Sequence, residues 1–304
     1  MTQKYLYFAY DLRVESDFPL PELQEVKDEG SPDVIIKTGI TPTTLEGVVE
    51  KGILFEASKD KFLLRLDKIA RFHVINGNEI TVEPFKDSDE EDIRVFLLGS
   101  VFAALLHQRG YLVLHGSCIE INGDGILFTG VSGVGKSTLA AAFHKKGYKI
   151  LTDDVCAIKI SQTGIPMVIP GFPRLKLWED AAERLGEDIS SLSPIRRKLQ
   201  KYRVNVEEKF SKDPVPLSSI YLLKPGNNEK ISVTEIKDFD KIDTLIKNTY
   251  RFRFMKAQGG KALHLKQCAA VARNTGIYSV IRPNKEFMLD ELALTIEKEI
   301  DSLW

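Results

Sequence analysis

Cysteine is scarce in this sequence. The 304 residues hold three, Cys118, Cys156 and Cys268, with no CxxC spacing. An odd number so placed argues against a disulfide framework or a zinc cluster and suits a reducing cytoplasm. Charge of one sign is lacking as well. Lys and Arg number 42 against 43 Asp and Glu, for a net charge of −1. Nothing global therefore draws the chain to nucleic acid or to a membrane surface, and a DNA-acting ATPase is disfavoured. Long apolar runs are also missing. The helix-like segment 95–106 is uncharged for only twelve residues, too short for a bilayer and in keeping with a buried helix. The N-terminal MTQKYLYFAYDLRVESD breaks its short apolar run with charge, unlike a signal peptide. With 43% hydrophobic and 28% charged residues the chain can bury a core, and its length suits one large or two ordinary domains.

Residues 4–85 carry short strand-like runs, among them Val34–Thr38, Lys61–Leu66, Ala70–Val74 and Glu79–Val82. Turn formers separate several of them, notably Asn76-Gly77-Asn78. An antiparallel β-rich domain over 1–92 is expected, with no chemical motif and with His73 as structural filler. The acidic run Asp87–Asp92 serves as a solvated cap for a helix from about 93 to 109, ending at Gly110. The remainder, 93–304, is expected to be one α/β domain with C-terminal helices near 238–255, 260–274 and 285–303. In the last, Leu289, Leu292, Ile296, Ile300 and Leu303 form a core-facing stripe.

One stretch carries chemistry outright. Ile126-Leu127-Phe128 leads into Gly130-Val131-Ser132-Gly133-Val134-Gly135-Lys136-Ser137, which fits the phosphate-binding pattern G-x-x-x-x-G-K-[ST]. A chain of this length matches that pattern by accident about once in a hundred. Here a strand, a glycine turn and a helix also come in the required order. Glycines let backbone N–H groups curl around phosphate oxygens, and the following helix adds its positive end. Gly130, Ser132, Gly133, Val134, Gly135, Lys136, Ser137 and Thr138 are the candidate nucleotide-binding residues. Lys136 would reach the β- and γ-phosphates, and the Ser137 hydroxyl would ligate Mg²⁺.

Two further features flank this loop. Asp153-Asp154 end the strand that follows the loop's helix, where ligands of parallel α/β sheets gather. One carboxylate there can hold Mg²⁺ and the other can accept a proton from an attacking hydroxyl. His115-Gly116-Ser117 opens the strand before the loop hairpin, and its histidine could bond a phosphate or tune a carboxylate. Arg174 and the basic run 196–203 are candidates for neutralising phosphoryl charge; the run is read either as a solvated loop or as a mobile segment that closes over ATP or binds an acidic peptide. Tyr250-Arg251-Phe252-Arg253-Phe254 is read as a packed face of a long helix rather than a nucleic-acid surface.

His-Gly, then GVSGVGKS, then Thr-Asp-Asp-Val resembles, in order and spacing, HPr kinase/phosphorylase, a bacterial serine kinase whose P-loop domain is related to the phosphoenolpyruvate carboxykinase fold. The resemblance implies that fold for the core, an active-site role for His115, proton acceptance by Asp154 and help with the metal from Asp153. The chain departs from the family at Thr138, where the family has Glu, and at Pro173–Trp178, where it has Glu-Ile-Arg-Gly. Tyr10-Asp11-Leu12, Ser16–Leu23, Pro173–Trp178 and Tyr278–Pro283 look like a divergent branch of related serine kinases, some of which act on lasso-peptide precursors.

The expected protein is a cytoplasmic, ATP- and Mg²⁺-dependent kinase. It would transfer the γ-phosphoryl to a serine hydroxyl of a peptide or small protein, in the narrowest form the C-terminal serine of a lasso-peptide precursor. Asp154, His115, Lys136 and Arg174 would be catalytic, with Ser137 and Asp153 at the metal. A metabolite kinase, an HPr-type regulatory kinase and a nucleotide-gated binder without transfer chemistry are the alternatives. Homo-oligomerisation is left open.

Overall fold

The computed structural model describes residues 3–27, 30–196, 199–226, 229–258, 260–283 and 288–302. It is a mixed α/β protein that divides into two compact units. The first comprises Met1–Val113 and Thr249–Gln267, the second Leu114–Asn248 and Cys268–Trp304. The expected seam at 92/93 thus falls inside a helix, and the chain returns to the first unit after residue 248.

In the first unit β1 (Tyr5–Ala9), β2 (Leu12–Ser16), β3 (Gln24–Glu25), β4 (Val34–Thr38), β5 (Glu50–Lys51), β6 (Phe55–Ala57), β7 (Lys61–Leu66), β8 (Ala70–Ile75) and β9 (Glu79–Pro84) form one sheet. Its order is β3-β1-β2-β4-β9-β8-β7-β6-β5. The sheet is mixed, not antiparallel throughout. Tight turns such as Asn76-Gly77, both at positive φ, give antiparallel hairpins. β4 enters after a long connection instead, and pairs parallel with both β2 and β9. Along β8, Ala70, Phe72 and Val74 are buried and His73 lies on the other face, the period-two alternation of a strand.

The acidic run caps the helix and also begins it. Asp89 accepts from the Glu91 amide, and α1 (Glu90–Phe96) takes Glu90, Glu91 and Asp92 as its first turn. A π-helical turn over Leu97–Val101, around Gly99, separates α1 from α2 (Phe102–Gln108). His107 on α2 is buried, with Nε2 donating to the Tyr250 carbonyl at 2.8 Å. Burial pushes its pKa down to about 4.

In the second unit β10 (Leu112–Ile121) and β11 (Asp124–Thr129) form a hairpin that leads into α3 (Lys136–Lys145). β12 (Lys149–Thr152) and β13 (Val155–Ile160) follow, then β14 (Pro166–Ile169). β11 and β12 are each antiparallel to β10, so they run in the same direction with β10 between them. The unit β11–α3–β12 is therefore a parallel crossover, one strand wider than the minimum. Next come β15 (Arg174–Trp178), α4 (Glu179–Arg184), β16 (Ser193–Arg196) and β17 (Leu199–Asn205). β15, β17 and β16 make a separate antiparallel sheet of three strands. The basic run expected as a loop is therefore largely a strand paired along β15; Arg197 and Lys198 lie outside the described residues.

The chain continues through β18 (Val215–Gly226), β19 (Ser232–Glu235), α5 (Asp238–Lys247), α6 (Phe252–Ala257), α7 (Lys261–Asn274), β20 (Gly276–Pro283) and α8 (Leu289–Ser302). The single helix expected over 238–255 breaks at 248–251, where Arg251 adopts φ 54. β20 is parallel to β18 across eight residue pairs, Ser219↔Gly276 to Gly226↔Pro283. The pairings β11–β10, β10–β13, β13–β14, β14–β18 and β18–β11 close a ring of strands. In α8, Leu289, Leu292, Ile296 and Ile300 face the core as the stripe predicts; Leu303 lies outside the described residues. Among the described residues no helix is long and apolar enough to cross a membrane.

Phe128 sits at the centre of this core, fully buried, 5.5 Å from the Phe143 ring and 6.3 Å from Tyr221. It ties the strand before the phosphate loop to the helix after it. Phe128→Ala is expected to cost about 3–5 kcal/mol of stability, through lost transfer energy and a residual cavity. Equilibrium urea unfolding measures this, and a loss below about 1 kcal/mol would show the site to collapse freely around the gap.

Candidate active site

The phosphate loop is built by its glycines. Gly130, Gly133 and Gly135 take φ of 138°, 81° and 100°, a region other residues enter at a cost. At Gly130 space is restricted as well, since a Cβ there would lie 2.6 Å from the Leu223 carbonyl oxygen. Gly135 caps α3 in the left-handed conformation, so the helix starts at Lys136 with its first amides directed at the loop. Lys136 is buried, and its Nζ donates to the carbonyls of Gly130 and Val131, each at 3.0 Å. Burial lowers its pKa, and the charges of Asp154 and Asp153 offset part of that shift.

Asp153 and Asp154 fill the two-residue break between β12 and β13. Asp153 is buried and accepts three hydrogen bonds. Ser117 Oγ on β10 donates to Oδ1 at 2.6 Å and Ser137 Oγ on α3 at 2.7 Å. The Lys176 amide on β15 donates to Oδ2 at 2.9 Å. Asp154 stands at φ 70, a left-handed conformation that Asp tolerates better than most residues. Its Oδ2 accepts from Lys176 Nζ at 2.7 Å, while its carbonyl accepts from His115 Nδ1 at 3.1 Å. A carbonyl can only accept, so that nitrogen carries the proton and Nε2 of the neutral ring is an acceptor.

Electrostatics set these groups apart. Burial raises the Asp153 pKa, and the neighbouring Asp154 charge raises it further. Burial also acts to raise Asp154, but the Lys176 and Lys201 ammoniums outweigh it and hold that carboxyl well below the usual range. Two adjacent carboxylates are thereby pushed in opposite directions, a pattern typical of sites that handle protons.

One cavity gathers His115, Ser132–Thr138, Asp154 and Lys176 with Lys201 and Arg282. Its walls present four cations, Lys136, Lys176, Lys201 and Arg282, against the carboxylates of Asp154 and Asp180, a balance suited to a polyanion. Arg282 donates to the Val134 carbonyl at 3.3 Å and so braces the loop. Trp178 lines the rim with the Lys201 ammonium 5.8 Å from its ring centroid.

The structure thus brings together most of the residues marked in the sequence. Gly130 lies at the base of the loop and Asp153 beneath Ser137, each one layer behind the cavity wall. Arg174 is the exception, since its guanidinium donates to the Pro173 carbonyl and to Asn205 Oδ1 and does not line the cavity. The lysine two residues on does. Ser117, Lys176 and Arg282 received no role from sequence reasoning. For Lys176 a signal existed, because Arg-Leu-Lys-Leu-Trp alternates and β15 buries Leu175 and Leu177. Arg282 lies 146 residues after Lys136, inside the Tyr278–Pro283 segment noted for its resemblance, but nothing local ties it to the phosphate loop.

The site fits a nucleotide with its metal. The positive-φ glycines and the helix start suit phosphate oxygens, and the Ser137 hydroxyl, which donates to Asp153 Oδ1 at 2.7 Å, lies with that carboxylate where the two would hold Mg²⁺. Among the described residues no group of three or more His, Cys, Asp and Glu could hold a metal by itself.

Residues 109–169 match the family model of the HPr Serine kinase C-terminal domain. HPr kinase/phosphorylase of an Exiguobacterium species is 39% identical over 62 residues, 20% of this chain and 19% of that one. The enzyme of the same name from Clostridium beijerinckii is 48% identical over 46 residues, 15% of each chain. That of Lachnoclostridium phytofermentans is 28% identical over 128 residues, 37% of this chain and 41% of that one. The matches to these relatives therefore span less than half of their length. The solved Hpr(Ser) kinase/phosphatase of Coxiella burnetii aligns with 62% of this chain and 94% of its own at 12% identity and a TM-score of 0.33. The segment that holds His115, the phosphate loop and Asp153-Asp154 lies inside that family match.

His115 offers a direct check on the site's electrostatics. Burial, and then the Lys136 charge, lower its pKa from 6.5. A lowered folded-state value means that the unfolded chain binds the proton more readily, so this histidine favours folding fully above pH 6.5 and loses that contribution as pH falls through its folded value. An NMR titration of the ring should give a midpoint below 6.5; a midpoint above it would contradict a half-buried ring near the Lys136 charge.

Proposed function

We propose that the protein is an ATP-dependent kinase that transfers the γ-phosphoryl group to a serine hydroxyl of a peptide or small protein. The observation that carries this reading is the meeting of a phosphate loop, an ionised Asp154 and four cations in one cavity. Binding a nucleotide needs the loop alone. Transfer needs a group to receive the acceptor's proton and positive charge to stabilise the moving phosphoryl, and both line the same wall.

The roles follow from position. Lys136 and the loop amides hold the β- and γ-phosphates. Ser137, with Asp153 behind it, would hold Mg²⁺, which would supply neutralisation of phosphate charge. Asp154 orients the hydroxyl and accepts its proton. Its low pKa makes it a weak base, which a loose phosphoryl-transfer transition state tolerates, because positioning and electrostatics do most of the work there. His115 sits beside Asp154 as a neutral ring. Lys176, Lys201 and Arg282 take the charge-neutralising part that the sequence suggested for Arg174. The kinship of residues 109–169 to HPr serine kinases supports a serine acceptor on a polypeptide over a metabolite hydroxyl. A lasso-peptide precursor is the narrowest form of this proposal.

Asp154→Asn removes the proton acceptor at little change in size. It should bind ATP within about threefold of the parent and lose on the order of 10²–10⁴ in transfer rate. Calorimetric nucleotide binding together with transfer of labelled γ-phosphate to serine-containing peptides reads both quantities. Undiminished transfer in that variant would remove Asp154 from the mechanism.

A further inference from the structure

The Lys176 contacts carry an inference about how many metal ions this site takes. A single residue engages both carboxylates of the pair, its amide bound to Asp153 Oδ2 at 2.9 Å and its Nζ to Asp154 Oδ2 at 2.7 Å. Asp153 Oδ1 accepts from Ser117 and Ser137, which sets that carboxylate beside the Ser137 hydroxyl, whereas the Lys176 ammonium bonds Asp154. The Lys176 side chain is 16% exposed and that of Asp154 23%, so the ion pair is shielded from water at the cavity wall. The amide contact holds β15 against the Asp-Asp break and so sets the root of the Lys176 side chain beside Asp154.

We infer that the Lys176 ammonium occupies the place of a second divalent cation, so that the site transfers phosphate with one metal ion, held by Ser137 and Asp153, and with Lys176 as the second positive charge. This rests on the phosphoryl-transfer reading for its purpose, though not for its geometry. A second cation would need Asp154 as a ligand, and Asp154 Oδ2 is bound to a cation that belongs to the chain. Dication and ammonium would also repel at close range in a partly water-excluded cavity. No other cluster of metal-binding side chains is present among the described residues to draw a second ion elsewhere. Lys201 and Arg282, which line the same cavity, add to that repulsion.

The test counts ions. A one-to-one complex of the full chain with a non-hydrolysable ATP analogue is titrated with Mn²⁺, and free Mn²⁺ is followed by electron paramagnetic resonance. One Mn²⁺ per complex is expected; two would overturn the inference. Because the analogue is not turned over, this count stands even if no acceptor is ever labelled, which separates it from the kinase reading. Lys176→Met should keep the count at one and nucleotide affinity within about tenfold, while transfer falls at least ~100-fold. Lys176→Glu, which exchanges the cation for a ligand, should raise the count to two. Transfer at the parental rate in Lys176→Met, or a count that stays at one in folded Lys176→Glu, would contradict the assignment.

Discussion

The carboxylate of Asp153 is the point on which the site depends. A buried carboxylate is tolerated only where hydrogen bonds replace its lost water. Here three donors do so, the hydroxyls of Ser117 and Ser137 and the amide of Lys176. They come from β10, α3 and β15, which are separate in sequence. One charge therefore fixes the hairpin before the loop, the helix after it and a strand of the small sheet relative to the break between β12 and β13. Asp154 follows in the chain and inherits its place on the cavity wall from this anchoring.

Around that anchor the electrostatics are divided. Burial penalises every charged group, raising Asp153 and lowering Lys136 and His115. Asp154 alone escapes, because Lys176 and Lys201 face it. The result is an ionised carboxylate beside a neutral imidazole, with a surplus of cations around the phosphate loop. Such a field is preorganised: the charges are held by backbone and packing before any ligand arrives. Arg282 contributes from β20, whose parallel pairing with β18 brings it to the Val134 carbonyl.

The parts legible in the sequence were those encoded locally. The phosphate loop, the hairpin before it, the helix after it and the Asp-Asp break each follow from residues a few positions apart, and they assemble as their spacing requires. The stripe on α8 was equally plain, being a 3.6-residue period. What escaped depends on contacts distant in sequence. β20 was noted only for the resemblance of Tyr278–Pro283, and its pairing with β18 is what makes it a strand within the sheet. The mixed character of the first sheet turns on where β4 inserts, which turn chemistry does not encode. Arg174 and Lys176 are equivalent by composition. The difference lies in the Asn205 side chain and Pro173 carbonyl that take up the first, and the Asp154 carboxylate that takes up the second.

A cavity that moves a phosphoryl group onto a serine differs from one that merely senses a nucleotide in where the γ-phosphate ends up. Incubating the protein with γ-labelled ATP, Mg²⁺ and serine-bearing peptides, and identifying the chemical form of the label, separates the two. Phosphate in an acid-stable, base-labile serine ester is the expected result. Nucleotide bound to the protein, with label only in ATP or inorganic phosphate, would contradict transfer to serine.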